Sequence, residues 1–210
     1  MTPLERNLRS ALARAGSSGL RSDHDLNPGG RSATRLRPPR KAAVLVPVIG
    51  HPESPTVLLT RRADHLPRHA GQVSFPGGAE GPEDCDPLAC ALREFEEEVG
   101  LPADDVTVLG RLDSYETVTG FHITPFVGLL RPPLQPRPDP AEVADVFEVA
   151  LSAVADRDRF ETRSVSRDGV ERRFYVLRHD THYIWGATAH MLVNLRDILA
   201  AAPERKGETP

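Results

Sequence analysis

The fold and the chemistry of this chain are decided by residues 93–101, which read Arg93-Glu94-Phe95-Glu96-Glu97-Glu98-Val99-Gly100-Leu101. In a helix, the glutamates at 94, 97 and 98 have the spacing i, i+3, i+4 and share one face. Like charges at this spacing destabilise a helix unless a cation lies among them. Because Mg²⁺ is bound by carboxylate oxygens together with substrate phosphates, the stretch predicts a metal site for phosphate chemistry. A solvated acidic helix face is the alternative interpretation.

Glycines on both sides of this stretch favour the metal site. Gly77 and Gly78 lie before it and permit a tight turn with close backbone approach, and Gly100 ends the predicted helix. The predicted metal ligands are the carboxylates of Glu94, Glu97 and Glu98, with the Gly78 carbonyl as a candidate fourth ligand. Arg93 either binds a substrate phosphate or pairs with a ligand carboxylate and fixes its rotamer.

Residues 78–101 resemble the box of the Nudix hydrolase family. Gly78 corresponds to the first glycine of the box, and residues 93–101 correspond to its second half. Two positions depart from the box, since Asp84 stands where the family has its first glutamate and one extra residue separates Asp84 from Arg93. The resemblance implies a Nudix-type α/β/α sandwich and hydrolysis of a pyrophosphate bond with Mg²⁺ or Mn²⁺.

A second block, residues 58–78, is similar to the coenzyme A pyrophosphatase branch of that family. It contains Leu-Leu-Thr-x-Arg-Ala from residue 58 and ends in Phe-Pro-Gly-Gly at residue 78. Pro67 stands where the branch has an arginine, and Arg68 follows it. The resemblance implies cleavage of coenzyme A to 3′,5′-ADP and 4′-phosphopantetheine. The alternatives are another nucleoside diphosphate compound (ADP-ribose, a dinucleotide or a nucleoside triphosphate) and a non-catalytic Nudix-like binding module.

The long predicted loop of this block supplies the expected substrate contacts. Coenzyme A carries a pyrophosphate and a 3′-phosphate, and guanidinium groups suit bidentate phosphate contacts. Arg68 is alternatively a surface charge, and a single histidine such as His69 is alternatively a structural residue. The residues expected to bind substrate are Arg62, Arg68, His69, Gly71, Phe75 and Gly77.

The residue that accepts a proton from the attacking water is left open by the sequence. Glu94 is one candidate, and Glu142 and Glu116 on other segments are two more. Three aromatic residues, Tyr115, Phe121 and Phe126, either stack on a nucleotide base or belong to the core.

Length and composition predict an ordinary soluble globular protein, and the cysteine content favours a cytoplasmic one. The chain has 210 residues, 27% charged, with a formal net charge of −4, so we expect no nucleic-acid partner. No apolar run is long enough to span a membrane. The only two cysteines, Cys85 and Cys90, are expected to be reduced thiols. The expected partner is a small-molecule substrate, coenzyme A or a related nucleotide, and a homodimer is compatible with the sequence without being required by it.

Hydrophobic periodicity predicts an α+β protein with a mixed central sheet between helices. We assign residues 1–40 to an N-terminal helix and a mobile arm, residues 41–202 to the Nudix domain and residues 203–210 to a disordered tail. Pro47 predicts a bulge or an edge position in the strand over 42–49. Asp168-Gly169 predicts a hairpin. Helices are expected over 4–14, from the Asp86 cap to 99, at 151–155 and over 187–201; further strands over 56–60, 105–117, 121–130 and 142–149; and a loop over 63–78.

Overall fold

The computed structural model describes residues 1–16, 19–27, 38–167, 170–180 and 182–201. Within them the helices are α1 (Pro3–Ala15), α2 (Pro87–Val99), α3 (Leu151–Ala155) and α4 (Gly186–Ala200). The strands are β1 (Leu20–Ser22), β2 (Arg40–Ile49), β3 (Thr56–Arg62), β4 (Val73–Ser74), β5 (Gly77–Ala79), β6 (Thr107–Arg111), β7 (Ser114–Glu116), β8 (Phe121–Leu130), β9 (Val143–Ala150), β10 (Phe160–Arg167), β11 (Val170–His179) and β12 (His182–Trp185).

The central sheet is mixed, and β2 lies in its middle. β2 runs parallel to β8 along its whole length and antiparallel to β3 and β5. β8 also pairs with β6 and β7, and β3 also pairs with β4 and β9. β10, β11 and β12 form a separate antiparallel sheet. The predicted mixed sheet is therefore confirmed.

Helices cover both faces of the central sheet, as the predicted α/β/α sandwich requires. On one face α2 packs through Phe95 and Val99 against Leu45 and Leu58. On the other face α1, α3 and α4 pack with the second sheet, through residues such as Leu8 and Leu192. Alternation of side chains along β2 and β3 supplies both cores, because successive residues point to opposite faces.

Pro47 lies in a central strand, so the expected bulge or edge strand at this position is wrong. On the β3 side of β2, Leu45 donates its N–H to the Pro76 carbonyl, and pairing with β3 begins only at Val48. The N–H groups of alternate residues point to the same side of a strand, so that of residue 47 would fall in the interval between these two contacts. A proline there removes no ladder hydrogen bond, which is the reason it is tolerated.

Two predicted irregular segments contain regular structure. The predicted loop over 63–78 includes β4 and most of β5, since both strands are too short to show a period. In the predicted mobile arm, β1 pairs in parallel with β7, and the Asn27 side chain bonds both backbone groups of Arg173. Residues 28–37 of that arm and the predicted tail over 203–210 lie outside the described residues.

The remaining predicted elements are found close to their expected positions. The strands β10 and β11 pair in a continuous antiparallel register from Phe160–Leu177 to Arg167–Val170, as the hairpin prediction requires. Residues 168 and 169, on which that prediction was based, lie outside the described residues. In the described part of the chain no helix is long and apolar enough to cross a membrane.

Candidate metal and substrate site

The helix α2 carries the acidic residues, and its ends fix its position. Asp86 accepts a hydrogen bond from the Ala89 N–H at 2.8 Å and so caps the N-terminus. Gly100 adopts a left-handed conformation, with φ of 70°, and its N–H donates to the Glu96 carbonyl. Phe95 is fully buried against the sheet. With Phe95 anchored in the core, Glu94 and Glu98 lie at the Gly77-Gly78 turn.

Glu94 lies directly over the glycine turn. A Cβ atom added to Gly78 would lie 2.5 Å from the Glu94 carboxyl group, so a larger residue there would displace this carboxyl group. Burial raises the pKa of Glu94, and the neighbouring Arg93 opposes that rise. The carboxyl group is therefore held close to the backbone in a setting that disfavours an uncompensated negative charge.

Glu98 is the most deeply buried acid of the helix, with 3% of the residue exposed. One of its oxygens, Oε2, accepts from the Gly77 N–H at 3.2 Å, and the other, Oε1, lies 3.6 Å from Nη1 of Arg62. Burial raises the pKa of Glu98 to about 8, although both of these contacts lower it. An added cation would remove this cost of burying the charge.

Arg93 connects three acidic side chains. Its Nε and Nη2 donate to the two oxygens of Asp84 at 2.9 and 3.0 Å. Its Nη1 lies 3.0 Å from Oε1 of Glu94 and 2.9 Å from Oε2 of Glu97. The Arg93 guanidinium holds the pKa of Asp84 well below its usual range. Asp84 thus serves as the anchor of Arg93, a role that sequence reasoning missed because nothing in the spacing indicated the pair.

The three glutamates differ in position and exposure. Glu97 has a side chain that is 61% exposed and bonds to Arg93. Among the described residues, no group of three or more His, Cys, Asp or Glu side chains is arranged to hold a metal ion. The charges facing these glutamates are the guanidinium groups of Arg62 and Arg93. The donor set nevertheless fits Mg²⁺ or Mn²⁺, because the hard carboxylate oxygens of Glu94 and Glu98 are already desolvated at one turn.

The loop between β3 and β4 carries three of the six predicted substrate residues, Arg68, His69 and Gly71. Arg68 and His69 are exposed. His69 has a positive φ of 58° and its Nδ1 lies 2.8 Å from Oε1 of Gln72. Gly71, with φ of 67°, donates its N–H to the Arg62 carbonyl and closes the loop. The loop is therefore anchored at Arg62 and presents its tip to solvent.

Phe75 is not placed to contact a substrate, so the structure corrects this expectation. Its side chain is in the main core and the residue is 2% exposed. Its large apolar ring is more stable there than in water, and it anchors the strand entry to the glycine turn. Gly77 was expected to bind substrate, and in the structure its N–H donates to the Glu98 carboxyl group.

The three candidate proton acceptors lie at different distances from the turn. Glu142 follows the loop after β8, and its carbonyl accepts from the Ala63 N–H at 2.8 Å, next to Arg62. Its charge raises the pKa of both Glu94 and Glu98. Glu116 lies on β7, and β8 and β2 separate that strand from β5. Glu94 and Glu142 thus belong to this site.

The aromatic residues considered for base stacking occupy other positions. Tyr115 is fully buried and donates to Oδ1 of Asp23 at 2.6 Å. Phe126 packs against the core under α2, and Phe121 lies beneath the guanidinium of Arg40 at 4.9 Å. For Tyr115 and Phe126 the core interpretation is the one that the structure supports.

Comparison with known proteins identifies the family. The model of the NUDIX domain matches residues 39–169, more than half of the chain. The chain is 45% identical over 156 residues to an uncharacterized Nudix hydrolase, NudL, of Yersinia pestis (strain Pestoides F). The aligned region covers 74% of this chain and 78% of NudL. The NudL of Yersinia pseudotuberculosis (serotype O:1b, strain IP 31758) gives the same values.

Two solved structures are similar to parts of the chain. RenU of M. smegmatis is 27% identical with a TM-score of 0.47, covering 57% of this chain and 76% of that one. An Ap4A hydrolase of C. elegans is 20% identical with a TM-score of 0.46, covering 53% and 80%. The matched domain and the relatives at 45% identity show that this chain belongs to the Nudix hydrolases, enzymes that act on pyrophosphate bonds.

Proposed function

We propose that the protein hydrolyses the pyrophosphate bond of coenzyme A and its derivatives, with Mg²⁺ or Mn²⁺, to give 3′,5′-ADP and 4′-phosphopantetheine. The observation that carries the chemistry is the placement of Glu94 and Glu98 at the Gly77-Gly78 turn, facing Arg62 and Arg93. The choice of coenzyme A is supported by the resemblance of residues 58–78 to the coenzyme A pyrophosphatase branch.

Glu94 and Glu98 are the proposed main metal ligands, with Glu97 and the Gly78 carbonyl completing the set. A divalent cation bound there neutralises phosphate charge and lowers the pKa of a bound water molecule. Arg93 holds Glu94 and Glu97 in place, and Asp84 in turn holds Arg93. Such support keeps the ligand oxygens oriented before the substrate arrives.

The proton released by the attacking water is accepted by a carboxylate of this site. Glu94 lies at the turn itself, and the Glu142 carbonyl accepts from Ala63, the residue after Arg62. Both are close enough to the other acids to affect their pKa values. Turnover of Glu142→Gln separates the two, because a proton acceptor at Glu142 requires a large loss of kcat with little change in KM.

The β3–β4 loop is the proposed recognition element for the rest of the substrate. Arg68 and His69 stand exposed at its tip, where they can reach a phosphate at the far end of a nucleotide. Pro67 occupies the position of an arginine in the coenzyme A branch. This departure favours one alternative, a Nudix hydrolase acting on another nucleoside diphosphate compound such as ADP-ribose.

The test is hydrolysis of coenzyme A, ADP-ribose, NADH and dGTP, each with Mg²⁺ and with Mn²⁺, with products identified by mass. The proposal predicts the highest kcat/KM for coenzyme A and no turnover without a divalent ion. A higher value for another substrate supports the alternative and assigns Pro67 to the change of substrate. Absence of turnover on all four supports a binding module.

A further inference from the structure

Arg62 faces the buried carboxylate of Glu98 from the end of β3. Its Nη1 lies 3.6 Å from Oε1 of Glu98, longer than a good hydrogen bond to a charged group. Glu98 is 3% exposed, so this guanidinium is a nearby positive charge in a poorly solvated place. The two side chains therefore lie next to each other without a good hydrogen bond between them.

The donor groups of Arg62 and Arg93 are used very differently. All three nitrogens of Arg93 lie within 3.0 Å of a carboxylate oxygen. The Nε of Arg62 is buried and, within the described residues, has no hydrogen-bond partner. Leaving a buried charged donor unpaired is costly, so Arg62 has donors available for a further acceptor at the site.

The backbone of Arg62 is fixed, so only its side chain is free to change partners. Its N–H donates to the Gln72 carbonyl at 3.0 Å, and its own carbonyl accepts from the Gly71 N–H at 3.2 Å. The register of β3 against β9 shifts between Arg61 and Arg62. The neighbouring Arg61 instead pairs with Asp64 in the loop. A substitution of Arg61 is therefore a suitable control for a substitution of Arg62.

We propose that Arg62 exchanges partners when the site is loaded: in the metal-free protein it lies against the Glu98 carboxyl group, and a divalent ion bound by Glu98 releases it to a phosphate of the substrate. This inference rests on the proposed pyrophosphatase function. A divalent cation next to a guanidinium repels it, whereas a pyrophosphate offers acceptors that match its fork of N–H groups. Arg62 would thus make metal binding and pyrophosphate binding cooperative.

The test measures the affinity of the non-hydrolysable α,β-methylene-ADP by calorimetry, with and without Mn²⁺. The wild type is compared with Arg62→Ala, Arg62→Lys and the control Arg61→Ala. With Mn²⁺, Arg62→Ala should weaken binding about tenfold, as expected for loss of one charge-assisted contact. Without Mn²⁺ the same substitution should change the affinity less than about twofold, because the guanidinium is then engaged by Glu98. Arg62→Lys should lie between, and Arg61→Ala should match the wild type.

Two results would overturn the exchange of partners. One is an equal loss with and without Mn²⁺, which makes Arg62 an ordinary phosphate ligand; the other is no loss in either condition. Circular dichroism and the melting temperature check that each variant is folded. Failure of the wild type to bind the analogue with Mn²⁺ overturns this inference, whereas the proposed function is decided by hydrolysis of coenzyme A. Binding of the analogue without hydrolysis of coenzyme A overturns only the choice of coenzyme A.

Discussion

At the scale of single residues, the site is a balance between buried acids and two arginines. Glu94 and Glu98 carry charges that burial disfavours, and Arg62 and Arg93 are the cations that face them. The helical spacing of the glutamates predicted their common face, because spacing alone determines it. The Asp84–Arg93 pair was not predictable, since it depends on how the segment before α2 folds back on the helix.

Glu98→Gln should lower kcat by about 10²–10³-fold, the range expected when one group that stabilises transition-state charge is lost. The amide keeps the shape of the side chain and an oxygen for the Gly77 N–H, so the fold should be retained. Glu96→Gln is the matched control, because Glu96 on the same helix is exposed and its side chain, in the described contacts, accepts only from the Ala103 N–H. Near-normal turnover of Glu98→Gln would remove Glu98 from the metal site.

The buried Glu98 should make the metal-free protein less stable at higher pH. Its pKa is raised from 4.5 to about 8, so between these values the folded state binds a proton that the unfolded chain has released. The free energy of unfolding therefore falls as the pH rises through this window. The melting temperature, measured in chelator from about pH 5 to about pH 8, should fall more for the wild type than for Glu98→Gln. Identical pH profiles for the two proteins would contradict this account of Glu98.

At the scale of elements, local signals predicted helices better than strands. The Asp86 cap and the left-handed Gly100 gave the ends of α2, because capping is decided by a few adjacent residues. β4 and β5 were missed since strands of two or three residues show no period. The prediction at Pro47 was wrong because a proline is accepted wherever its strand has no hydrogen-bonding neighbour. Where β2 lacks such a neighbour is decided by the whole sheet.

The helix α1 should be part of the main cooperative unit, although the sequence suggested a separate N-terminal segment. Leu8, Ala11 and Leu12 are buried in the main core. Leu8→Ala should lower the free energy of unfolding by about 2–5 kcal/mol, the usual cost of truncating a buried leucine. Leu20→Ala, at a residue that is 48% exposed, is the control and should cost far less. Urea unfolding measures both, and an unchanged midpoint for Leu8→Ala would show that α1 is not coupled to the core.

At the scale of the whole molecule, the sandwich brings together segments that are distant in the chain. The end of β3, the glycine turn and α2 meet at Glu98, and Glu142 joins them from the segment before β9. Sequence motifs indicated the first three, because each has its own local pattern. The motifs could not indicate that Glu142 would lie near Arg62, because its position follows from the pairing of β3 with β9.

The exposed Arg68 should affect recognition of coenzyme A more than that of a smaller substrate. If it binds the 3′-phosphate, Arg68→Ala should raise KM for coenzyme A by about tenfold, as for loss of a charge-assisted phosphate contact. KM for ADP-ribose, which lacks that phosphate, should change little, and kcat should be retained for both. Steady-state kinetics measures kcat and KM for both substrates. An equal rise of KM for the two would contradict the proposed contact of Arg68 with the 3′-phosphate.

The proposed hydrolysis of coenzyme A by this Nudix hydrolase is tested by a single competition assay. Coenzyme A and ADP-ribose are supplied together at equal concentration with Mn²⁺, and the initial rates of product formation are followed by mass, so that their ratio gives the ratio of kcat/KM. We expect 3′,5′-ADP and 4′-phosphopantetheine to form at a higher initial rate than the products of ADP-ribose. Cleavage of ADP-ribose while coenzyme A remains intact would contradict it.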